Sequence, residues 1–272
     1  MDLFRHHRVS QHITRIETPF VCTYLVEGTH RAILIDSGFG YGDLRGYVEN
    51  LTHLPLDVIL SHPHSDHGGG SGQFDRVYLN PIDRDLEEAA LTTIWRKRLL
   101  AEIFAKSGRK VDPRLFHLKR SEPYDKIHPG DFFDLGGVSL QTFAMPGHTE
   151  GEVGFLIEED RIFFAGDAAT DNTFIYFDHS APLSQFKEGL EGVIAVEDKF
   201  DQVLVSHKPF VFPKEIIRSN HIWADRVLAG EDDHLYLRTR EGTPIYTARN
   251  RNKQYNDLES LGNIRYIDKL VR

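Results

Sequence analysis

Cysteine is nearly absent from this sequence, since Cys22 is the only one among 272 residues. A single thiol excludes an internal disulfide and a cysteine-rich zinc cage. Cys22 lies in the apolar stretch 20–26, and free cysteine is among the residue types most often buried. We therefore interpret Cys22 as a residue of a buried strand.

Long apolar runs are also missing. The longest, such as Ala32–Ile35, have the length of a strand and fall far short of the roughly 20 residues that cross a bilayer. Residues 1–17 contain neither the apolar run nor the small-residue cleavage site of a signal peptide. We expect a cytoplasmic protein without membrane association.

Positive charge is scarce, because the formal net charge is −9 at pH 7. Nucleic-acid binders gather lysine and arginine into a basic face, since neutralising phosphates supplies most of their affinity. The nearest candidate is the run 96–98, Arg-Lys-Arg, which we interpret as a solvated helix face. A small-molecule substrate is therefore the expected partner rather than nucleic acid, and a homodimer is an open alternative to a monomer.

Strand patterns followed by helix patterns occur twice along the chain. Short β-branched or aromatic runs predict strands within 12–36 and at 56–60, and again within 132–165 and at 202–205. Apolar positions three and four residues apart predict one or two amphipathic helices within 82–106. Further helices are predicted over 183–196 and 213–229, the last with Pro213 in its first turn. This order predicts an α/β fold of two packed sheets with helices outside them.

The length allows one large domain with a small addition. We predict a main domain over residues 1–230, with a helical insertion at about 82–118. Residues 231–272 are polar and turn-rich, with strand-like fragments at 235–237 and 264–267. This segment is predicted to be a short C-terminal extension packed on the main domain.

The clearest chemical signal is the segment 62–70, His-Pro-His-Ser-Asp-His-Gly-Gly-Gly, which follows a predicted buried strand. It is predicted to be an irregular loop, and it offers four metal-competent side chains: His62, His64, Asp66 and His67. Residues two apart in a strand face the same side, so the first two histidines can reach one ion while the other pair faces a second. Imidazole with carboxylate suits zinc, with iron or manganese as alternatives.

Three further candidates each follow a predicted strand. They are His148 in Pro-Gly-His-Thr, Asp167 in Ala-Gly-Asp, and His207 in Val-Ser-His-Lys. Open α/β architectures place ligand sites at the carboxyl ends of strands. We therefore expect these side chains to join the histidine-rich segment in one site.

Together these segments resemble the metallo-β-lactamase superfamily, and within it the glyoxalase II-like hydrolases. The matching segments keep the family order over roughly residues 12–210: Leu-Ile-Asp36-Ser-Gly, Ser-His62-Pro-His64-Ser-Asp66-His67-Gly-Gly, Pro-Gly-His148-Thr, Gly-Asp167 and Ser-His207. The resemblance implies a four-layer αββα sandwich, in which two mixed β-sheets are flanked by helices and the metals lie at one edge.

The resemblance also implies two divalent metal ions, with zinc as the first candidate. The first ion would be bound by His62, His64 and His148, and the second by Asp66, His67 and His207. Asp167 would bridge both ions beside a bridging hydroxide. Asp36 would lie behind the ligands and orient them, as outer partners of metal ligands generally do.

Such a site predicts a binuclear hydrolase whose bridging hydroxide attacks a small ester, thioester or lactone carbonyl. Asp66 and Asp167 are the expected catalytic carboxylates, and Asp66 would relay the proton. Small-molecule pockets are mostly apolar with few polar groups. The pocket candidates are Thr170, Phe174, Tyr176, Phe177 and Lys208, with Trp95 from the helical insertion.

Three positions differ from those of other branches of the superfamily, and these differences argue against the activities of those branches. His64 stands where di-iron flavoproteins of the superfamily carry glutamate, and true β-lactamases lack the carboxylate that Asp167 supplies. Thr170 stands where acyl-homoserine lactonases tend to have tyrosine. Two alternatives stay open: an oxidoreductase like the mononuclear iron persulfide dioxygenases, and a phosphodiesterase or nuclease of the same superfamily.

Overall fold

A computed structural model describes residues 3–106, 108–239 and 242–272, without the side chains of Ala89, Thr93 and Trp95. The pocket role predicted for the Trp95 side chain therefore lies outside the described residues. The chain divides into two compact units, Met1–Leu140 and Gln141–Arg272, which are described in turn.

A seven-stranded sheet is the framework of the first unit. Its strands lie side by side in sequence order, antiparallel from the first to the fourth and parallel from the fourth to the seventh. They are β1 (Arg5–Arg8), β2 (Ile13–Glu17), β3 (Cys22–Glu27), β4 (Ala32–Ile35), β5 (Leu56–Ile59), β6 (Val77–Leu79) and β7 (Asp125–Lys126). Strand β4 is apolar and buried at every position, as expected for a strand covered on both faces.

Four helices belong to the first unit: α1 (Leu44–Glu49), α2 (Ser65–Gly68), α3 (Arg84–Ala90) and α4 (Thr93–Ala105). The Asp43 carboxylate caps α1 by accepting a hydrogen bond from the Gly46 backbone N at 2.9 Å. The prediction of an irregular loop over 62–70 was wrong, because α2 forms one helical turn within it. Four residues are too few for a helical period to be visible in a sequence.

The run 96–98 is not the solvated face that we predicted, because Arg96 is fully buried. Its guanidinium donates to the carbonyl oxygens of Phe39, Gly69 and His117 at 2.9, 2.7 and 2.9 Å. Burying a charge is tolerated when hydrogen bonds compensate for lost water, and both Nη atoms of Arg96 donate to carbonyl oxygens. The buried arginine thus ties α4 to the loop that follows α2.

The second unit contains most of a six-stranded sheet and a four-stranded sheet. The orders across them are β14-β13-β11-β10-β9-β8 and β12-β17-β16-β15. In the larger sheet, β11 and β13 are parallel, and β9 and β11 are each antiparallel to β10. The strands are β8 (Phe132–Asp134), β9 (Ser139–Ala144), β10 (Val153–Ile157), β11 (Ile162–Gly166), β12 (Thr173–Ile175), β13 (Gln202–Val205), β14 (Val211–Pro213), β15 (Leu235–Arg238), β16 (Pro244–Thr247) and β17 (Ile264–Tyr266).

Two helices, α5 (Leu183–Ile194) and α6 (Glu215–Ala229), pack in the core of the second unit. Their apolar faces include Phe186 and Leu190 on α5 and Trp223 on α6, all fully buried. The prediction that Pro213 opens α6 was wrong, because Pro213 is the last residue of β14 and pairs with Gln202. Proline is suited to a strand end as well as to a helix start, so its position alone did not separate the two.

The C-terminal segment takes part in the smaller sheet. Its predicted strand fragments are present as β15 and β17, whereas β16 was not predicted. Strand β17 pairs in parallel with β12. The predicted boundaries of the main domain and the extension stay predictions. None of the helices in the described part of the chain has the length and apolar character needed to cross a bilayer.

Candidate metal centre

Four of the predicted ligands lie together in the first unit, just beyond β5. The ring centroid of His62 is 4.8 Å from that of His64 and 4.0 Å from that of His67. His64 is the N-cap residue of α2, and Asp66 and His67 lie on this helix. His62 and His67 are fully buried, whereas His64 and Asp66 are partly exposed. The segment from the end of β5 through α2 therefore collects three imidazoles and a carboxylate.

Close backbone packing holds α2 against the loop after β4. The Ser37 backbone N and Oγ both donate to the His67 carbonyl oxygen, at 2.6 and 2.9 Å. A Cβ atom on Gly70 would lie 2.1 Å from the Ser37 carbonyl oxygen. Only glycine permits this approach, which explains one glycine of the run that follows the histidines.

Asp36 lies behind these ligands and is fully buried. One of its oxygens, Oδ2, lies 2.9 Å from His67 Nδ1 and accepts from Ser61 Oγ at 2.9 Å. Ser61 Oγ in turn lies 3.1 Å from His62 Nδ1. Since a carboxylate accepts, His67 carries its proton on Nδ1 and its lone pair on Nε2, the tautomer that binds a metal through Nε2.

The backbone of Asp36 is also unusual, because its φ is +63°. Residues other than glycine rarely adopt this region, and those that do are concentrated at functional sites. The position predicted for Asp36 behind the histidines agrees with what the first unit contains. Its role toward a metal stays a prediction.

The other three predicted ligands lie together in the second unit. The Asp167 Oδ2 atom is 3.7 Å from His148 Nε2 and 3.4 Å from His207 Nε2. Each residue follows a strand of the larger sheet, namely β9, β11 and β13. These strands run in one direction, because β9 and β11 both oppose β10 while β13 is parallel to β11. Their carboxyl ends therefore meet at one edge of the sheet.

Hydrogen bonds orient this second cluster. His148 Nδ1 lies 2.9 Å from the Phe174 carbonyl oxygen, so Nδ1 carries the proton and Nε2 the lone pair. Buried Glu152 accepts from the Asp167 backbone N at 2.9 Å, and Ser180 Oγ donates to the His148 carbonyl oxygen at 3.0 Å. Sequence reasoning missed Glu152 and Ser180, because nothing local distinguishes them from surface polar residues.

The spacing within each cluster fits a divalent ion. Ligand atoms about 2.0–2.2 Å from a tetrahedral zinc ion lie about 3.3–3.6 Å from one another, whereas a charge-assisted hydrogen bond is about 2.7–2.9 Å long. The distances from Asp167 to His148 and His207 are 3.7 and 3.4 Å, and His67 Nε2 lies 3.7 Å from Asp66 Oδ2. These values, with imidazole and carboxylate donors, suit metal coordination better than direct ion pairs.

An aromatic row lies beside His148; it consists of Phe174, Tyr176 and Phe177. Consecutive ring centroids in the row are 5.2 and 4.5 Å apart, and the Phe177 ring is 5.3 Å from that of His148. The three side chains are partly exposed. His179 stacks on Phe177 at 5.2 Å, and burial, with a smaller effect from neighbouring His148, lowers the pKa of His179 to about 4.

The remaining two pocket candidates have other contacts. The Thr170 hydroxyl accepts from the Asn172 backbone N at 3.1 Å and so stabilises the turn after Asp167. Lys208 is exposed, and its ammonium lies 5.9 Å from the centroid of the Phe210 ring. The pocket roles of all five candidates stay predictions.

Comparison with protein families gives one match that covers most of the chain. The model of the metallo-beta-lactamase superfamily matches residues 19–207. Acyl-coenzyme A thioesterase MBLAC2 of Homo sapiens is 26% identical over 201 residues, covering 68% of this chain and 71% of that protein. Atrochrysone carboxyl ACP thioesterase nsrC of Aspergillus novofumigatus is 26% identical over 149 residues, covering 53% of this chain and 37% of that protein.

Solved structures resemble this chain in fold. A metallo-beta-lactamase from Erythrobacter litoralis superposes with a TM-score of 0.60 at 13% identity, covering 83% of this chain and 98% of that one. A metallo-beta-lactamase from Pontibacter korlensis gives a TM-score of 0.54 at 17% identity, covering 82% and 99%. These likenesses confirm the predicted α/β sandwich fold, and at such identities they concern the fold alone.

Proposed function

The chain belongs to the metallo-beta-lactamase superfamily, and on that basis we propose that it is a metal-dependent hydrolase of thioesters. Two relatives bear the names of thioesterases, one acting on acyl-coenzyme A and one on a carrier-protein thioester. The observation that carries the proposal is the pair of ligand clusters, in which His67 and His148 each hold a proton on Nδ1 and so present Nε2 to an ion.

We propose that the two clusters jointly hold two divalent ions, with zinc as the first candidate. The ligands are His62, His64 and His148 for one ion, Asp66, His67 and His207 for the other, and Asp167 for both. The family resemblance and the spacing within each cluster support this assignment. Ions bound there supply a Lewis acid for a carbonyl oxygen and lower the pKa of water to about 7.

The residues behind the ligands fix their geometry before an ion binds. Asp36 holds the His67 ring and, through Ser61, the His62 ring. The Phe174 carbonyl holds His148, and Glu152 holds the backbone at Asp167. Outer partners of this kind fix tautomer and ring orientation and raise the basicity of the ligand.

We assign different roles to Asp66 and Asp167. Asp167 would be a ligand of both ions, so its carboxylate would not be free to take up a proton. Asp66 is assigned to one ion, so its second oxygen can accept a proton from the attacking water and return it to the leaving sulfur. The aromatic row beside His148 provides an apolar wall for the acyl group, as small-molecule pockets require.

The test is thioester hydrolysis by the full chain loaded with zinc, manganese or iron. We expect hydrolysis that is lost on chelation and restored by metal. Asp167→Asn should lower metal content and the rate together, by at least about tenfold, since ligands and their partners change affinity and activity on that scale. Asp198→Asn, which changes an exposed carboxylate in the same unit, is the matched control and should retain both. Undiminished hydrolysis by metal-depleted Asp167→Asn protein would remove the proposal.

Metal analysis of the same preparations separates the alternatives named from the sequence. Two zinc ions per chain favour hydrolysis, whereas one iron per chain with oxygen consumption favours a persulfide dioxygenase. Cleavage of phosphodiesters in preference to thioesters would favour a nuclease or phosphodiesterase.

A further inference from the structure

A polar cavity of about 460 Å³ lies in the second unit and is lined in part by three cationic side chains. Its walls come from Asp171, in the loop between β11 and β12, and from the segment between β16 and β17. Pockets of about 300–1,000 Å³ are typical of small-molecule sites. The cations are Arg249, Arg251 and Lys253.

Arg249 is the buried member of this group, with 9% of its surface exposed. Its Nη1 donates to the carbonyl oxygens of Glu259 and Ser260. Its Nε is buried, and within the described residues it has no acceptor at hydrogen-bonding distance. Burial and the neighbouring charge of Arg251 lower the pKa of Arg249. A buried cation in this state is stabilised by an anion that enters the cavity.

The other two cations are each paired with a carboxylate. Arg251 Nη2 lies 3.2 Å from Asp171 Oδ2, and Lys253 Nζ contacts Asp233. Three cations against two carboxylates leave one positive charge, which is that of Arg249. Guanidinium groups match phosphate oxygens with two parallel donors, so a phosphate can compete for the exposed Arg251.

Hydrogen bonds hold the backbone of the segment that lines the cavity. The Trp223 indole donates to the Glu259 carbonyl oxygen at 2.9 Å, and the Gly262 backbone N donates to Ser219 Oγ at 2.8 Å, which ties the segment to α6. The Arg249 backbone N donates to Asn263 Oδ1 at 2.9 Å. A pre-ordered site loses less entropy when a ligand binds.

The cavity also shares a chain segment with the proposed metal ligands. Asp171 follows Asp167 by four residues, and β12 then carries Phe174, whose carbonyl oxygen holds His148. Strand β17, which ends the cavity segment, pairs with β12. One short stretch therefore connects the cavity wall to the ligands of the second unit.

We propose that this cavity binds the phosphate groups of the thiol carrier, so that the substrates are thioesters of a phosphorylated nucleotide thiol such as coenzyme A. This inference rests on the proposed thioester hydrolysis. It adds a recognition site whose lining contains none of the predicted metal ligands, and where binding depends on charge and not on the acyl chain.

Binding is tested first, by calorimetric titration of adenosine 3′,5′-bisphosphate into the metal-loaded full chain, with adenosine as the uncharged comparison. We expect the bisphosphate to bind and adenosine not to bind. Arg251→Gln should weaken the bisphosphate about tenfold, the scale of one charge-assisted hydrogen bond. Asp171→Asn should raise the affinity for the bisphosphate several-fold, because the substitution removes a carboxylate that repels phosphate. Damage to the fold would lower the affinity, so it cannot explain a higher affinity in this variant.

Two controls accompany the titration. Arg238→Gln replaces another exposed arginine of the C-terminal segment, which donates to the Gly242 carbonyl oxygen at 3.0 Å outside the cavity, and should leave binding unchanged. Phosphate also binds metal ions, so the titration is repeated on metal-depleted Asp167→Asn protein, where binding should persist. Arg249 is left intact, because it holds the backbone of the loop.

Kinetics give the second readout. We compare an acyl-coenzyme A with the N-acetylcysteamine thioester of the same acyl group, which lacks phosphates. Arg251→Gln should lower the ratio of the two kcat/KM values about tenfold. An unchanged ratio, or bisphosphate binding that is lost with the metal, would overturn the inference. If no thioester is hydrolysed, the proposed function fails, while the titration still decides whether the cavity binds phosphate.

Discussion

At the scale of single residues, the most informative side chain is Arg96, because it links α4 to the segment that contains four of the predicted metal ligands. Its guanidinium donates to three carbonyl oxygens, including that of Gly69 directly after α2. The glycine run and the one-turn helix are thus held by a residue nearly thirty positions away in sequence.

Arg96→Met keeps an unbranched side chain and removes every donor, so three carbonyl groups, two of them in buried contacts, lose the arginine as a partner. We expect the free energy of unfolding to fall by about 2–4 kcal/mol, measured by chemical denaturation. Arg98→Met is the matched control, because Arg98 is largely exposed and, among the described residues, pairs with Glu102 across one turn. It should change stability by less than about 0.5 kcal/mol. Equal effects of the two substitutions would show that the buried contacts contribute nothing.

His179 makes the stability of the folded chain depend on pH. Burial lowers its pKa from 6.5 to about 4, so between these values the unfolded chain binds more protons than the folded one. The stability that His179 contributes is complete above pH 6.5 and is lost as the pH falls toward 4. Between pH 7 and 5, the native chain should lose on the order of 1 kcal/mol more than His179→Gln.

The measurement is denaturation of both proteins at several pH values with the same metal loading. His148, a predicted metal ligand, also affects the pKa of His179, so both proteins must carry the same metal at every pH for the difference between their curves to report on His179. Parallel curves from pH 7 to 5 would contradict the pKa that we assign.

The candidate ligands could be predicted from their residue types and motifs. The residues that hold them in place through tertiary contacts could not. The metal-competent side chains are recognisable from motif and spacing, and the structure gathers them within each unit. Arg96, Ser61 and Glu152 act through contacts with positions that are distant in the sequence, and such contacts leave no local pattern. The error on Arg96 shows that a charged run does not reveal which of its members is buried.

At the scale of elements, the geometry of the segment that contains four predicted metal ligands depends on how closely α2 approaches the loop after β4. Gly70→Ala would place a Cβ atom 2.1 Å from the Ser37 carbonyl oxygen, so the backbone must shift. We expect a loss of stability of about 2 kcal/mol or more and weaker metal binding, measured by denaturation and by competition with a chelator.

Gly192→Ala is the matched control for this substitution. Gly192 lies within α5, and a Cβ atom there meets nothing within 4 Å. Alanine is the better helix former by about 1 kcal/mol, so this change should raise stability slightly. A Gly70→Ala protein as stable and as metal-competent as the native chain would disprove the packing argument.

The helices and strands also show which elements could not be predicted from sequence patterns. Strands such as β4 and helices such as α5 were predicted because their apolar periods extend over enough residues. The one-turn helix α2 and the short strands β14 and β16 are too brief for a period to show. Their formation depends on pairing and packing with neighbours, which a single sequence does not display.

At the scale of the whole molecule, the superfamily and the sandwich fold were predicted from five short segments and are confirmed by the match over 19–207 and by the structural likenesses. The narrower glyoxalase II-like resemblance, zinc, the cytoplasmic location and the homodimer stay predictions. These properties depend on substrate contacts, metal supply and surfaces that motifs do not encode.

The central claim is that ligands from both units share two metal ions, and anomalous diffraction from crystals of the metal-loaded full chain tests it directly. We predict two anomalous peaks, one bound by His62, His64 and His148 and one by Asp66, His67 and His207, with Asp167 bound to both. Ligand bonds should be about 2.0–2.2 Å long. A map with no peak at these residues, or with ions bound by one unit alone, would contradict the account.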